Sequence, residues 1–327
     1  MTLPVRRPGS HAEFLPEHGA DLCVTPAGRR KSLRAAALAI AECARITGKP
    51  TCGGTLRLSG TIPVGVGMGS STCDVVATVR AVAASFAISL PQESISRLAV
   101  AAEQASDPLM LDDRPLLFAQ REGRVLDVFG ERLPDIVVVC CVTGGGRAVP
   151  TLALPSAEYH DSDLDAFERL RATLRRAVAG RDVALLGEVS TESARRNQRI
   201  LPKAELGALV SVADRVGACG VQVAHSGNVA GLLFDPAADD LGRSLRRCVR
   251  LLRHHGIPVT GLVITTTART EASHGHPHLR GDRSSRPRAA RGAFPLPAFR
   301  DDESGFGAGR RGAPARNGGR AAWGHAG

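Results

Sequence analysis

Hydrophobic residues along this chain recur at two different spacings, and the change of spacing separates the predicted elements. Leu56 and Leu58 alternate with polar neighbours, which predicts a short strand. Across residues 75–86 apolar side chains recur every three or four positions, which predicts a helix with one buried face. A segment rich in glycine, serine and threonine, residues 65–72, lies between the two. The order is therefore strand, glycine loop, helix.

The same patterns predict the remaining elements. Helices are expected at residues 32–46, 91–105, 164–179, 182–200, 206–216 and 241–255. A hairpin is expected at 116–128, buried strands at 135–142 and 259–265, and a strand, turn and strand at 220–234. Residues 1–28 show little periodicity and are expected to be irregular. Residues 268–327 are rich in Arg, Gly and Pro, and we expect a disordered tail there.

Composition narrows the class of protein. The net charge is +10, but most of the excess lies after Thr267, where 11 arginines accompany five acidic residues. The nearly balanced body argues against a nucleic-acid partner, and no run of about 20 apolar residues predicts a membrane span. The eight cysteines form no Cys-x-x-Cys pair, so we expect free thiols in a reduced, cytoplasmic compartment.

The glycine loop has the chemistry of an anion site. Glycines allow a backbone to approach a phosphate closely, and the first turn of the following helix presents unpaired N–H groups. Ser70 and Ser71 could add hydroxyl ligands to phosphate or Mg²⁺. The segment lacks the Gly-Lys-Ser/Thr of a Walker loop and the spacing of a dinucleotide fingerprint. The alternative is an ordinary glycine turn in which Ser or Thr hydroxyls cap the helix.

The residues of this loop resemble a known motif. The run PVGVGMGSST at 63–72 is similar to the ATP loop of the GHMP small-molecule kinases, P-x-G-x-G-[LM]-[GA]-S-S-[AT]. With Asp74 behind it, the run most resembles the L-threonine kinase branch, which serves cobalamin side-chain synthesis. The resemblance implies ATP contacts from the loop and the first helical turn: Pro63, Gly65, Gly67, Met68, Gly69, Ser70, Ser71 and Thr72.

Two acidic residues near the end of the next predicted helix are the candidates for metal binding and proton transfer. The resemblance implies that Glu103, together with Ser70, holds Mg²⁺. It also implies that Asp107 acts as the base beside a catalytic Ser71, or else that the substrate alcohol is activated without a dedicated base. The branch pattern is close to Glu-Pro-x-Asp-Ser. Here the acidic residues are one position further apart, and Pro108 stands where Ser is usual. The alternative is that both carboxylates are solvated charges.

Three later segments also resemble the threonine kinase branch. They are the triple glycine at 144–146, the run SARRNQRILPK at 193–203, and the turn AHSGNV at 224–229. In the family the last of these packs beside the ATP loop. The triple glycine is either a flexible turn or a ligand contact. The implied substrate contacts are Gly145, Gly146, Thr151, Ser226 and Gly227.

The resemblance covers about residues 30–265 and implies an α+β fold in two halves. Residues 1–150 would form a ribosomal-S5-like half that binds ATP, and residues 151–267 a ferredoxin-like half. No first GHMP motif is recognisable before Arg30, so the N-terminal strands could be missing or diverged. The implied activity is transfer of phosphate from ATP, with Mg²⁺, to L-threonine. Alternatives are another small alcohol, such as homoserine or a sugar, or a non-catalytic nucleotide-binding protein. A monomer or a homodimer is expected.

Overall fold

The structure is a computed structural model that describes residues 2–3, 9–62, 67–111, 114–146, 158–224 and 227–265. The sequence predictions for Pro63, Gly65, Thr151, Ser226 and the tail lie outside the described residues. The elements below belong to this described part of the chain.

The first sheet has three strands, β1 (Ser10–Glu17), β2 (Leu22–Thr25) and β3 (Gly53–Gly60). β3 lies in the centre, antiparallel to β1 and parallel to β2. The expectation that residues 1–28 are irregular was therefore wrong. In β1 only Phe14 is buried, and Leu15 beside it is 40% exposed. A strand with a single buried apolar side chain gives little period-two signal in a sequence.

Two helices, α1 (Arg30–Thr47) and α2 (Ser70–Ser85), pack on this sheet, and α3 (Gln92–Glu103) packs against both of them. α1 ends at Gly48, which takes a left-handed conformation and donates its N–H to the Ala44 carbonyl. The buried side chains of these helices are mainly alanine and valine, and with Leu56 of β3 they form one core. Aromatic residues make up only 3% of the chain, so small side chains fill this close-packed interior in their place.

A hairpin links the two halves along the chain. Its strands are β4 (Leu116–Ala119) and β5 (Arg124–Val128), as the sequence predicted. The hairpin contacts the loop after α3, since the Ser106 N–H donates to the Gln120 carbonyl at 3.0 Å. This contact places the Gln120 side chain beside that loop.

The second sheet has four strands: β6 (Ile136–Val142), β7 (Gly220–Val223), β8 (Val229–Phe234) and β9 (Val259–Thr265). Their order across the sheet is β7-β8-β6-β9, and all neighbouring strands are antiparallel. With helices after β6 and between β8 and β9, this is the ferredoxin-like arrangement. The mixed α and β fold expected from the sequence is confirmed.

Four helices pack on this second sheet: α4 (Asp161–Gly180), α5 (Val183–Asn197), α6 (Leu206–Val216) and α7 (Leu241–His254). Alternate residues of β6 belong to two cores. One core contains side chains of α4 and the start of α5, and the other contains side chains of α6 and α7. β6 is therefore buried along nearly its whole length, which explains its continuous apolar sequence.

The cysteines are free thiols throughout the chain, as expected. Three of them are buried, whereas Cys23 is exposed. Within the described residues, no helix is both long enough and apolar enough to cross a membrane.

Candidate functional site

The glycine loop leads into α2 with two left-handed glycines. Gly67 has φ of 87° and Gly69 has φ of 74°, a region that glycine enters at little cost. Gly69 is the residue that caps α2, and no side chain of the described residues bonds to the free amides there. The described residues therefore do not show the alternative in which Ser or Thr hydroxyls cap this helix. These hydroxyls donate elsewhere, and the helix end keeps the character of an anion site.

The hydroxyls of the first turn point to Glu103. Ser71 Oγ donates to Glu103 Oε2 at 2.8 Å, and Thr72 Oγ1 donates to Glu103 Oε1 at 2.7 Å. Glu103 is the last residue of α3 and is only 3% exposed. Lys31 Nζ, from the first turn of α1, lies 3.8 Å from Glu103 Oε2. Three helices thus meet at one buried carboxylate.

Asp107 lies next to this cluster, in the loop after α3. Its N–H donates to Thr72 Oγ1 at 3.3 Å, and its Oδ1 accepts from Gln120 Nε2 at 3.1 Å. Its Oδ2 is close to Gly69, because a Cβ atom built on that glycine would lie 3.3 Å from it. Burial raises the pKa of Asp107, and the negative charge of Glu103 raises it further.

The glycine loop also contacts the second half of the chain. A Cβ atom on Gly67 would lie 2.6 Å from Gly227 Cα and 3.0 Å from Ala224 Cβ. Two backbones therefore approach more closely than any side chain at Gly67 would permit. This contact is the one that the resemblance implied between the third motif and the ATP loop.

The triple glycine after β6 is hydrogen-bonded to a residue of the second half of the chain, Glu205. All three residues have positive φ, and the Gly144 N–H donates to Glu205 Oε1 at 2.8 Å. Gly145 has open space where a side chain would be. Turn and ligand contact both remain compatible with Gly145 and Gly146, and their role in binding substrate stays a prediction.

The structure brings together several of the residues that the sequence predicted. One connected set of contacts joins Gly69, Ser71, Thr72, Glu103 and Asp107, whereas Gly67 contacts Gly227 and Ala224. Ser70 is buried in the first turn, but it is Ser71 and Thr72 that bond to Glu103. The catalytic and metal-binding roles of these residues stay predictions.

Sequence reasoning missed Lys31, Gln120, Lys203 and Glu205 as neighbours of this region. Each contacts a partner that is distant in the chain, and no local pattern signals such a pairing. Asp74, which follows the motif, holds elements of the fold together. It accepts hydrogen bonds from Ser10 Oγ at 2.7 Å and Arg29 Nη1 at 3.2 Å, which joins α2 to β1 and to the start of α1.

The donor set fits a magnesium ion. Mg²⁺ prefers oxygen ligands and is usually held by one or two carboxylates together with substrate phosphates. Glu103, Ser70 and Ser71 offer oxygen donors at the start of α2, with Asp107 nearby. Among the described residues no group of three or more His, Cys, Asp or Glu side chains could form an all-protein cage.

Comparison with known proteins shows which protein family and which solved structures this chain resembles. Residues 32–113 match the family described as the GHMP kinases N terminal domain. The fold resembles that of homoserine kinase from Cytophaga hutchinsonii, with a TM-score of 0.59 and 17% identity, over 81% of this chain and 88% of that one. Residues 32–113 therefore resemble a GHMP kinase N-terminal domain, and the fold of the chain is similar to that of a solved homoserine kinase.

Two curated relatives of this chain are L-threonine kinases. The chain is 27% identical to the L-threonine kinase of Citrobacter freundii over 57% of its own length and 64% of the relative's. It is 28% identical to the L-threonine kinase of Salmonella typhimurium, over 56% and 60% respectively. The match thus spans less than two thirds of these relatives.

Proposed function

We propose that this protein is a small-molecule kinase that transfers the γ-phosphoryl group of ATP to a substrate hydroxyl. The observation that carries the proposal is the buried Glu103 carboxylate, which is bonded to two hydroxyls of the first turn of α2. An ordinary glycine turn has no need of a buried acid behind it. A carboxylate beside a helix N-terminus and a glycine loop suits a nucleotide whose phosphates bring a cation.

Binding of ATP would follow from the backbone. The uncapped amides of α2 and its positive dipole end favour the phosphates, and the left-handed glycines leave room for them. Glu103 and Ser70 would hold Mg²⁺, with Ser71 kept in place by its bond to Glu103. When bound, the ion supplies charge neutralisation for the transferred phosphoryl group.

Asp107 is the proposed base. Its Oδ2 lies beside Gly69, so a substrate hydroxyl directed at the γ-phosphate would be near this carboxylate. Its raised pKa makes it a better proton acceptor than an ordinary surface aspartate. The rest of catalysis is positioning, because phosphoryl transfer needs little covalent assistance from a protein.

We propose L-threonine as the substrate and O-phospho-L-threonine as the product, with a role in cobalamin side-chain synthesis. The curated L-threonine kinases support this choice, as do the segments at 193–203 and 224–229 that resemble their branch. The alternative substrate is L-homoserine, because the fold is also similar to that of a homoserine kinase.

A product assay tests the proposal. Purified protein is incubated with Mg·ATP and, in separate reactions, with L-threonine, L-homoserine, L-serine and galactose, and phosphorus NMR identifies the phosphorylated product. We expect a phosphate ester of threonine to form fastest. Preferential phosphorylation of homoserine would show that the proposed kinase reaction is correct and that L-threonine is the wrong substrate. ATP binding without any product would favour the non-catalytic alternative.

A further inference from the structure

Lys203 is an unusual residue in this chain. Lysine occurs only at positions 31, 49 and 203, and Lys203 is 7% exposed. Its side chain lies in the short segment between α5 and α6, where Nζ donates to the Gly227 carbonyl at 2.5 Å. Burial lowers the pKa of Lys203. A lysine is rarely buried to this extent, because removing its charge from water is costly unless a partner compensates.

The partner of Lys203 is a turn that also contacts the glycine loop. Gly227 meets Lys203 through its carbonyl, and its Cα lies 2.6 Å from the position of a Gly67 Cβ. One residue of the turn is thus fixed by a buried cation and packed against the loop that leads into α2. Any displacement of Gly227 would change the space available to Gly67.

The segment that carries Lys203 holds a second turn as well. Glu205 accepts from the Gly144 N–H at 2.8 Å. The two turns are joined directly, since Thr143 donates to the Asn228 carbonyl from its N–H at 2.7 Å and from Oγ1 at 3.1 Å. Residues 203–205 therefore form a brace between the Gly227 turn and the triple glycine.

We propose that Lys203 is a positioning residue that fixes the Gly227 turn against Gly67 and so sets the affinity of the glycine loop for ATP. The part of this inference that concerns ATP rests on the proposed function. Lys203 acts through the Gly227 carbonyl and need not touch the nucleotide. Loss of its amine leaves that carbonyl without its charged donor, and the turn is then free to shift.

The first experiment compares Lys203→Met with Lys49→Met. Lys49 Nζ also donates to a backbone carbonyl, that of Phe86 at 3.2 Å, but it belongs to the end of α1 and not to this brace. Isothermal titration with Mg·ATP should give a dissociation constant about tenfold higher for Lys203→Met, the usual size of one charge-assisted hydrogen bond. Lys49→Met should leave the dissociation constant unchanged.

A double-mutant cycle with Gly67→Ala separates positioning from a general loss of stability. The alanine Cβ forces the Gly227 turn to move, whereas the strain of its positive φ is the same in both backgrounds. Once Lys203 no longer holds the turn, the alanine should be tolerated better. We expect Gly67→Ala to weaken ATP binding at least about threefold less in the Lys203→Met background than in the wild type.

The same four proteins are unfolded in urea, which needs no ATP. The destabilisation caused by Gly67→Ala should again be smaller in the Lys203→Met background. Additive effects in both measurements would overturn the positioning role. If the wild type bound no ATP, the proposed function would fail by itself, and the urea cycle alone would then decide whether Lys203 holds the turn.

Discussion

The end of α3 and the loop that follows it each carry one carboxylate, and the two lie in different surroundings. Glu103 is buried, both of its oxygens accept hydroxyl hydrogen bonds, and Lys31 lies at 3.8 Å. Asp107 accepts from a neutral amide, and burial together with the charge of Glu103 raises its pKa. Glu103 thus has hydroxyl donors on both oxygens and a lysine nearby, whereas at Asp107 burial and the charge of Glu103 oppose the charged form of the carboxyl.

This contrast suggests a division of labour. A buried carboxylate beside the start of a helix is suited to hold a metal ion that arrives with phosphates, and a carboxyl whose pKa is raised is suited to act as a base. We therefore propose different roles for two acidic residues of similar chemistry, because their surroundings differ. The predictions below test each half of this contrast.

The largest effect is expected from Asp107→Asn. The amide keeps the shape and can still accept from Gln120, but it cannot take a proton from the substrate. Loss of a general base typically lowers kcat by about 10² to 10⁴-fold. Steady-state kinetics with L-threonine measure kcat, and titration with Mg·ATP should show unchanged affinity. A variant that keeps the full rate would exclude Asp107 as the base.

Thr72→Val should have the next largest effect. The valine is similar in shape, but it removes the donor to Glu103 and the acceptor of the Asp107 N–H, and so disconnects the two carboxylates. Leaving a buried polar group without a partner costs about 1 to 3 kcal/mol of unfolding free energy. Urea unfolding measures this loss, and Thr78→Val, which removes a hydroxyl bond within α2, is the matched control. Equal losses of unfolding free energy in Thr72→Val and Thr78→Val would contradict the claim that the bonds of Thr72 to Glu103 and Asp107 contribute more than an ordinary hydroxyl bond.

Ser71→Ala should have a smaller effect than Thr72→Val. Ser71 is only partly buried, so water can replace its hydroxyl at Glu103 Oε2. We expect kcat/KM for ATP to fall by about threefold to tenfold, the range of a single hydrogen bond. The thermal midpoint should change little. A loss as large as that of Asp107→Asn would support the catalytic role that the resemblance implies for Ser71, in place of a supporting contact to Glu103.

The smallest effect is on the pH dependence of stability. A carboxyl whose pKa is raised by folding contributes stability below its unfolded value, about 3.9, and loses it as the pH rises through the folded value. Asp107→Asn removes this loss. The unfolding free energy of the variant relative to the wild type should therefore increase as the pH rises above about 4. Parallel urea-unfolding profiles for the two proteins would contradict the raised pKa.

Local pattern was sufficient to predict the strand, the glycine loop and α2, because apolar spacing and glycine runs are local features. It also placed Glu103 near a helix end and Asp107 in the loop beyond. It could not predict that the first-turn hydroxyls bond to Glu103 in place of capping α2. The direction of a serine or threonine hydroxyl depends on which acceptor tertiary packing brings near.

Pairings across the chain were also beyond local pattern. Lys203 meets Gly227, and Glu205 meets Gly144, only because α6 begins beside both turns. β1 escaped prediction because a single buried phenylalanine supplies its apolar signal. The ferredoxin-like arrangement of the four-stranded half was predicted from the resemblance, because hydrophobic periodicity does not indicate the order of strands in a sheet.

The most direct test of the account is the kcat of Glu103→Gln at saturating Mg·ATP and L-threonine, measured beside the wild type. Glutamine is nearly isosteric and can still accept from one hydroxyl, but it cannot offset the charge of a cation. We expect an active wild type and a kcat lower by about 10²-fold or more in the variant, with ATP affinity changed far less. Equal rates for the two proteins would remove Glu103 from the mechanism and contradict the division of labour between the two carboxylates.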